Sequence, residues 1–169
     1  MEINYFINSL ENSALKIDVM VAKVDSDMAR WKPEPAMWSM LEVVNHLCDE
    51  EKEDFRLRLD ITLHAPDTPW PSINPPGWVR ERGYNNRNLD RSLADFLSER
   101  KESLHWLRSL DRPDLGKRYN HPSLGILTAG DLLAAWAAHD YRHLRQLAGL
   151  HARYLDLRAA PYSTRYAGP

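Results

Sequence analysis

Apolar residues recur every three or four positions along four long stretches of this chain, and proline- or glycine-bearing segments separate each stretch from the next. That spacing lays an apolar stripe along one side of an α-helix and does not suit alternating strands. The first stretch, residues 2–24, aligns Ile3, Phe6, Ile7, Leu10, Ala14, Ile17, Met20 and Val24. The second opens at Ser39, where Ser39-Met40-Leu41-Glu42 has the form of a capping box, and runs to about Thr62. The third covers Leu89 to Leu110, with Leu93, Phe96, Leu97, Leu104 and Leu107 facing inward. The fourth begins at Thr128, with Asp131 at the third helical position, and is expected to stop near Gly149.

The connectors contain no convincing strand. Asp25 to Met37 holds Pro33 and Pro35, which prevent helix; His64 to Trp78 holds Pro66, Pro69, Pro71, Pro75 and Pro76. Residues 79–88 are polar without a clear period, and Asp111 to Leu127 is a loop punctuated by Pro113, Gly116, Pro122 and Gly125. These readings predict an all-α four-helix bundle over residues 1–151, followed by a tail over 152–169. The connector between the second and third helices is too long for a tight antiparallel turn, so a crossover leaves those two parallel.

The fourth helix holds the sharpest chemical signal. Its inward stripe reads Leu132, Trp136, His139, His143, Leu147, Leu150. Histidines four apart share one helix face with Cβ atoms about 6 Å from each other, within reach of one metal ion. Two neutral imidazoles buried side by side each need a hydrogen-bonding partner, and a cation answers that need. The bland reading, a hydrogen-bonded or half-exposed pair, carries equal weight on spacing alone. The second helix offers a complement in His46, with Asp49 and Glu50 following on the same side. His46 lies near the start of its helix, and His139 and His143 lie toward the end of theirs. Their heights match if the two helices run in opposite directions, which completes an up-down-down-up order.

Trp38-Ser39-x-x-Glu42-x-x-x-His46-Leu47-x-x-Glu50 and His139-Asp140-x-x-His143-Leu144-x-Gln146 resemble the opening and closing motifs of the DinB-like (YfiT-like) metalloproteins. Tyr84-Asn85, Arg100 and His121-Pro122-x-x-Gly125 look similar to the family's middle, so the likeness covers about residues 31–151. The resemblance implies a four-helix bundle, commonly a homodimer, and one divalent metal on His46, His139 and His143. It also implies an enzyme of the metal-dependent hydrolase type, or a transferase or isomerase that uses a low-molecular-weight thiol. The alternative is a metal-binding, stress-related bundle without turnover.

Three neutral nitrogen ligands leave an ion with its full charge and an open position, the layout of a catalytic site. Water held there becomes hydroxide near neutral pH, and a thiol becomes thiolate. All-nitrogen ligation suits zinc, nickel, iron(II) or copper alike. Asp49, Glu50 and Asp140 are candidates to accept an imidazole N–H. Glu50 and Asp140 are also the candidate catalytic carboxylates, with Asp140 alternatively paired to Arg142 or Arg145. The string from His139 to His143 is also similar to HExxH metalloproteases with Asp for Glu, but no sheet is visible to hold a peptide.

The other histidines read as bland: His64 and His151 near helix ends, His105 structural, and His121 a loop residue that can line the site. Trp70, Trp78 and Tyr84 in the crossover serve either as a lid or as pins for a strap, and Arg80, Arg82 and Arg87 can meet a substrate carboxylate. The net charge of −2 provides no global field for nucleic acid or an anionic membrane. A single cysteine, Cys48, excludes an internal disulfide and any CxxC motif, and reads as a small buried hydrophobe. Without a membrane-length apolar run or a basic leader, the expected location is the cytoplasm and the expected partner a small-molecule substrate.

Overall fold

The computed structural model describes residues 3–168. Four rods make up the bundle. The first is α1 (Ile3–Val21). The second is α3 (Met40–Glu50), which passes through a π-helical turn (Glu51–Phe55) into α4 (Arg56–His64). The third is α6 (Leu89–Ser109) and the fourth α7 (Ala129–Ala159). Between the rods lie α2 (Ser26–Arg30), α5 (Pro75–Glu81), and a hairpin of β1 (Arg118–His121) and β2 (Gly125–Thr128). The expected inclusion of Glu2 in the first helix falls outside the described residues.

Two apolar clusters fix the direction of every rod. At one end, Ala14, Ile17 and Val21 of α1 pack with Leu41, Val44 and Leu47 of α3, Leu93 and Phe96 of α6, and Leu144, Leu147 and Leu150 of α7. At the other end, Phe6, Ile7 and Leu10 pack with Leu59, Leu104, Leu107, Leu132, Leu133 and Trp136. The late part of α1 therefore meets the late part of α7 and the early parts of α3 and α6. The first and fourth rods run together, the second and third run against them, and the order is up-down-down-up.

The second rod is buried all round at its start: every residue of α3 from Met40 to Glu50 is buried, because the crossover covers its outer side. Its polar residues consequently need partners. Glu42 completes the expected capping box with Ser39 and meets Lys32 at 3.1 Å; Asn45 donates to Leu41 O and Ser92 Oγ.

Several local expectations are corrected. The 25–37 connector contains α2, because Asp25 Oδ1 accepts from the Asp27 and Met28 amides and starts a helix ahead of the prolines. The proline run contains the start of α5: Pro75 and Pro76 occupy its first turn, where a missing N–H costs nothing. Asn74 caps α5 through the Gly77 amide, and a Cβ at Gly77 would lie 2.0 Å from the Asn74 side-chain nitrogen, so any other residue there pushes the capping side chain aside. The 111–127 loop and Thr128 contain a two-stranded antiparallel hairpin that pairs Tyr119 with Leu127. Finally, α7 runs through Gly149 to Ala159, so residues 152–159 continue the helix instead of beginning a tail. Gly149 has open space beside it and no left-handed φ, Leu150 is buried, and His151 Nε2 bonds Met20 O at 2.7 Å. Packing on α1 carries the rod past a residue that would end an isolated helix.

Candidate metal centre

His46 enters from α3, while His139 and His143 enter from α7 one turn apart. The three side chains meet between the second and fourth rods. His139 Nε2 lies 3.1 Å from His46 Nε2 and 3.1 Å from His143 Nε2. One nitrogen from each ring falls within 4.8 Å of the others, and no carboxylate completes that group among the described residues. His46 and His143 are buried and His139 is half-buried.

Burial sets the charge of these rings. It pushes the pKa of His46 down to about 3, aided by repulsion from His143. It pushes His139 down to about 2, aided by His143, His46, Arg100 and Arg142. His143 is lowered by burial and raised in part by its bond to Gln146. All three are neutral near pH 7, the form in which imidazole ligates metal.

The second ring nitrogens show which way the lone pairs point. His143 Nδ1 donates to Gln146 Oε1 at 2.8 Å, which leaves Nε2 without a proton and turned to the centre. His46 Nδ1 and Glu50 Oε1 are both buried without a hydrogen-bond partner and stand 3.7 Å apart. A slight closing of that gap lets the Glu50 carboxyl oxygen accept the Nδ1–H, the kind of pairing common behind metal ligands. His139 Nε2 can then donate to only one of its two neighbours, so one 3.1 Å contact sets lone pair against lone pair. A cation removes that conflict. Tetrahedral bonds of 2.0–2.1 Å place ligand nitrogens about 3.3 Å apart, close to the two 3.1 Å contacts that His139 makes.

Aromatic rings wall the centre. Trp38 lies 4.8 Å from the His46 ring, and Phe55 lies 5.1 Å from His139 and stacks on Trp136 at 5.6 Å. Phe55 closes the π-helical turn, whose extra residue periodicity does not reveal.

The two candidate catalytic carboxylates stand elsewhere. Glu50 faces His46 Nδ1, on the side of the ring away from the shared centre, and burial with hydrogen bonding to Asp54 raises its pKa to about 9. Asp140 points into the bundle, is 1% exposed, and makes no hydrogen bond to a histidine. Its cation is Arg100, not Arg142 or Arg145. Arg100 Nη1 donates to Asp140 Oδ2 at 2.7 Å and Leu10 O at 2.6 Å, and Nη2 donates to Asp140 Oδ1 at 3.0 Å and Glu51 Oε1 at 2.6 Å. Ser13 donates to Asp140, and Trp136 Nε1 donates to Glu51 at 2.8 Å. Burial alone would lower the pKa of Arg100, but Glu51 and Asp140 hold it above the ordinary arginine value. This network joins all four rods one residue away from His139 and so sets the roll of α7.

Asp49 also turns away from the histidines. It accepts from Arg82 Nη1 at 2.6 Å and from the Tyr84 hydroxyl, which ties the crossover to α3. Arg82 is further held by Glu53 and lies over Trp78 at 3.9 Å, and Arg87 donates to Asn45. Trp78, Val79 and Tyr84 form a small cluster of their own, so these crossover aromatics pin a strap. The sequence motifs include Gln146 and Arg100 without giving either a role: the bond of Gln146 to His143 and the burial of Arg100 against Glu51 and Asp140 appear only in the structure.

Residues 16–147 match the model of the DinB superfamily. Proteins of Bacillus cereus (strain AH820) and Bacillus anthracis (strain A0248), each bearing the name "Putative metal-dependent hydrolase", are 27% identical over 119 residues, 69% of this chain. The match spans 66% of those relatives, just short of two thirds of their length. YfiT from Bacillus subtilis, described as "a probable metal-dependent hydrolase with an unusual four-helix bundle topology", superposes with a TM-score of 0.79 over 90% of this chain and 87% of its own at 19% identity, a likeness of fold.

Proposed function

The chain belongs to the DinB superfamily, and from that premise we propose that it is a metal-dependent enzyme that turns a small nucleophile on a small-molecule electrophile. The observation that carries this reading is the convergence of three neutral imidazoles, with His46 and His143 Nε2 each 3.1 Å from His139 Nε2. One divalent ion on His46, His139 and His143, with zinc, nickel and iron all suited to the donor set, would supply Lewis acidity and lower the pKa of water for hydrolysis or of a low-molecular-weight thiol for transfer.

The residues of the chain do the positioning. Gln146 fixes the tautomer of His143, and Glu50 stands ready to do so for His46. Trp38 and Phe55 keep the surroundings apolar, which strengthens electrostatic attraction at the centre. Arg100 and Asp140 lock α7 so that His139 and His143 face α3. We assign Glu50 and Asp140 as positioning residues. A thiol nucleophile would come from solution, because the only cysteine, Cys48, is buried and its pKa is raised to about 12 by burial and by Asp49. The names borne by the Bacillus relatives favour the hydrolytic branch.

The proposal extends to a homodimer in the cytoplasm. Leu15 and Val19 on α1 and Tyr141 on α7 form an exposed apolar patch, and no described helix is long and apolar enough to cross a membrane.

The test is metal analysis of the purified protein and of His46→Ala, His139→Ala and His143→Ala, followed by a screen of metal-loaded protein against esters, amides and electrophiles with and without added thiol. Each variant is expected to lose metal and turnover together. Full occupancy in all three overturns the reading. Metal retained by the native protein without turnover on any class supports the non-catalytic alternative.

A further inference from the structure

A polar cleft lies past Phe55 on the second rod, and none of His46, His139 and His143 lines it. It has a volume of about 620 Å³ and is walled by Arg58 of α4, Asp67, Trp70 and Ser72 of the crossover, and Tyr119 and His121 of β1. That volume falls in the roughly 300–1,000 Å³ range of small-molecule sites. Arg58 follows His46 by twelve residues on the same rod, about 18 Å along it.

The cleft is built before any ligand arrives. Trp70 stacks on Tyr119 at 4.1 Å with rings 7° from parallel, and the Arg58 guanidinium lies 4.9 Å from the Trp70 ring centre. Tyr119 and His121 share one face of β1 by the two-residue period of a strand. His121 lies 5.3 Å from Trp70. Prolines 66, 69, 71 and 122 border the wall and restrict its backbone.

Its chemistry is short of acceptors. His121 Nδ1 accepts from the Ser123 and Leu124 amides at 3.2 and 3.0 Å, which places its proton on Nε2 as a donor. The Tyr119 hydroxyl oxygen accepts from the Trp70 amide at 2.9 Å, so its own proton remains to be given. Asp54 stands 2.9 Å from Arg58 Nε as an ion pair without a formed hydrogen bond, Nη2 donates to Pro71 O at 3.4 Å, and Nη1 has no hydrogen-bond partner among the described residues. The Trp70 indole N–H is buried without a partner. Asp67 is the one acid on the wall, and it is exposed.

We propose that this cleft binds the carboxylate or phosphate group of a small organic anion, held by Arg58 Nη1, His121 Nε2 and the Tyr119 hydroxyl. The planar guanidinium fork suits either oxyanion. Binding here needs no metal.

The experiment is an NMR titration of the full chain at constant ionic strength, following the Trp70 indole N–H with succinate, inorganic phosphate and the neutral succinamide. Succinate or phosphate is expected to shift that resonance in saturable fashion and succinamide is not; which oxyanion binds tighter separates the two sources. His121→Ala, on an exposed hairpin, and Arg58→Lys, which keeps the charge and loses the fork, are each expected to weaken binding about tenfold, as for one hydrogen bond to a charged group. Equal binding of succinamide, or unchanged affinity in both variants, overturns the proposal. Binding abolished by His139→Ala but untouched by His121→Ala would place the anion at the histidines and also overturn it.

Discussion

Consider the replacement Arg100→Met. The guanidinium is 1% exposed and joins Glu51 on the second rod, Asp140 on the fourth and Leu10 O on the first. Methionine fills much of the same length but donates nothing, so two carboxylates remain buried without their cation. Breaking a buried pair costs about 3–5 kcal/mol, and two stranded acids place this case toward the upper end. Domains of this kind hold about 5–15 kcal/mol in total, so the variant should remain folded with much of its margin gone. With a urea slope of about 2 kcal/mol per molar, the unfolding midpoint should fall by about 2 M with the slope unchanged. The assay is urea unfolding of metal-depleted protein followed by far-UV circular dichroism, since bound metal would add its own stabilisation. Adding Glu51→Gln and Asp140→Asn to Arg100→Met should restore more than half of the loss, because neutral amides are far cheaper to bury than stranded charges. A midpoint shift below about 0.5 M would show that the network does not hold the rods together. A triple variant no better than the single one would trace the loss to packing instead of charge.

Gln146→Leu removes the acceptor that fixes the His143 tautomer and should weaken metal binding by about 10- to 100-fold with little change in the metal-free melting temperature; competition with a chromogenic chelator measures it. Gly149→Ala should stabilise the protein by about 0.5–1 kcal/mol, since a methyl group there meets nothing and α7 is continuous through it; a lower melting temperature would contradict that. Thr128→Ala should cost about 1 kcal/mol by opening the capping box of α7. Hydrogen bonds from the Thr128 side chain and backbone hold the Asp131 carboxyl below its usual 3.8. The folded state therefore binds fewer protons there. The contribution is present above pH 3.8 and fades as pH falls through the lowered value; NMR titration of Asp131 in native protein and Thr128→Ala reads the difference.

Much of the frame was legible because its signals are local. Ser39 with Glu42 and Thr128 with Asp131 mark two rod starts within four residues each; the capping box at Ser39 forms as expected, and Thr128 with Asp131 closes a second one. Spacing of three and four placed Leu10, Phe96, Leu107 and Leu147 in the core. Pro75 and Pro76 misled because proline forbids a helix interior but suits a first turn, and only the Asn74 cap decides between them. The Gly149 stop failed for the opposite reason: a weak local signal yielded to the burial of Leu150 and the contact of His151 with α1.

The histidines divide in the same way. Their number, their i,i+4 spacing on one helix and the matching height of His46 on another belong to the sequence, since helical pitch converts spacing into geometry wherever the chain lies. Which atoms face the centre belongs to the tertiary structure. Gln146 selects the ring nitrogen of His143, the π-helical turn brings Phe55 against His139, and Arg100 turns Asp140 away. Such pairs join residues as far apart as Ser13 and Asp140, and their partners are chosen by burial, which has no local code: a charge taken from water must find its counter-charge wherever packing has left one.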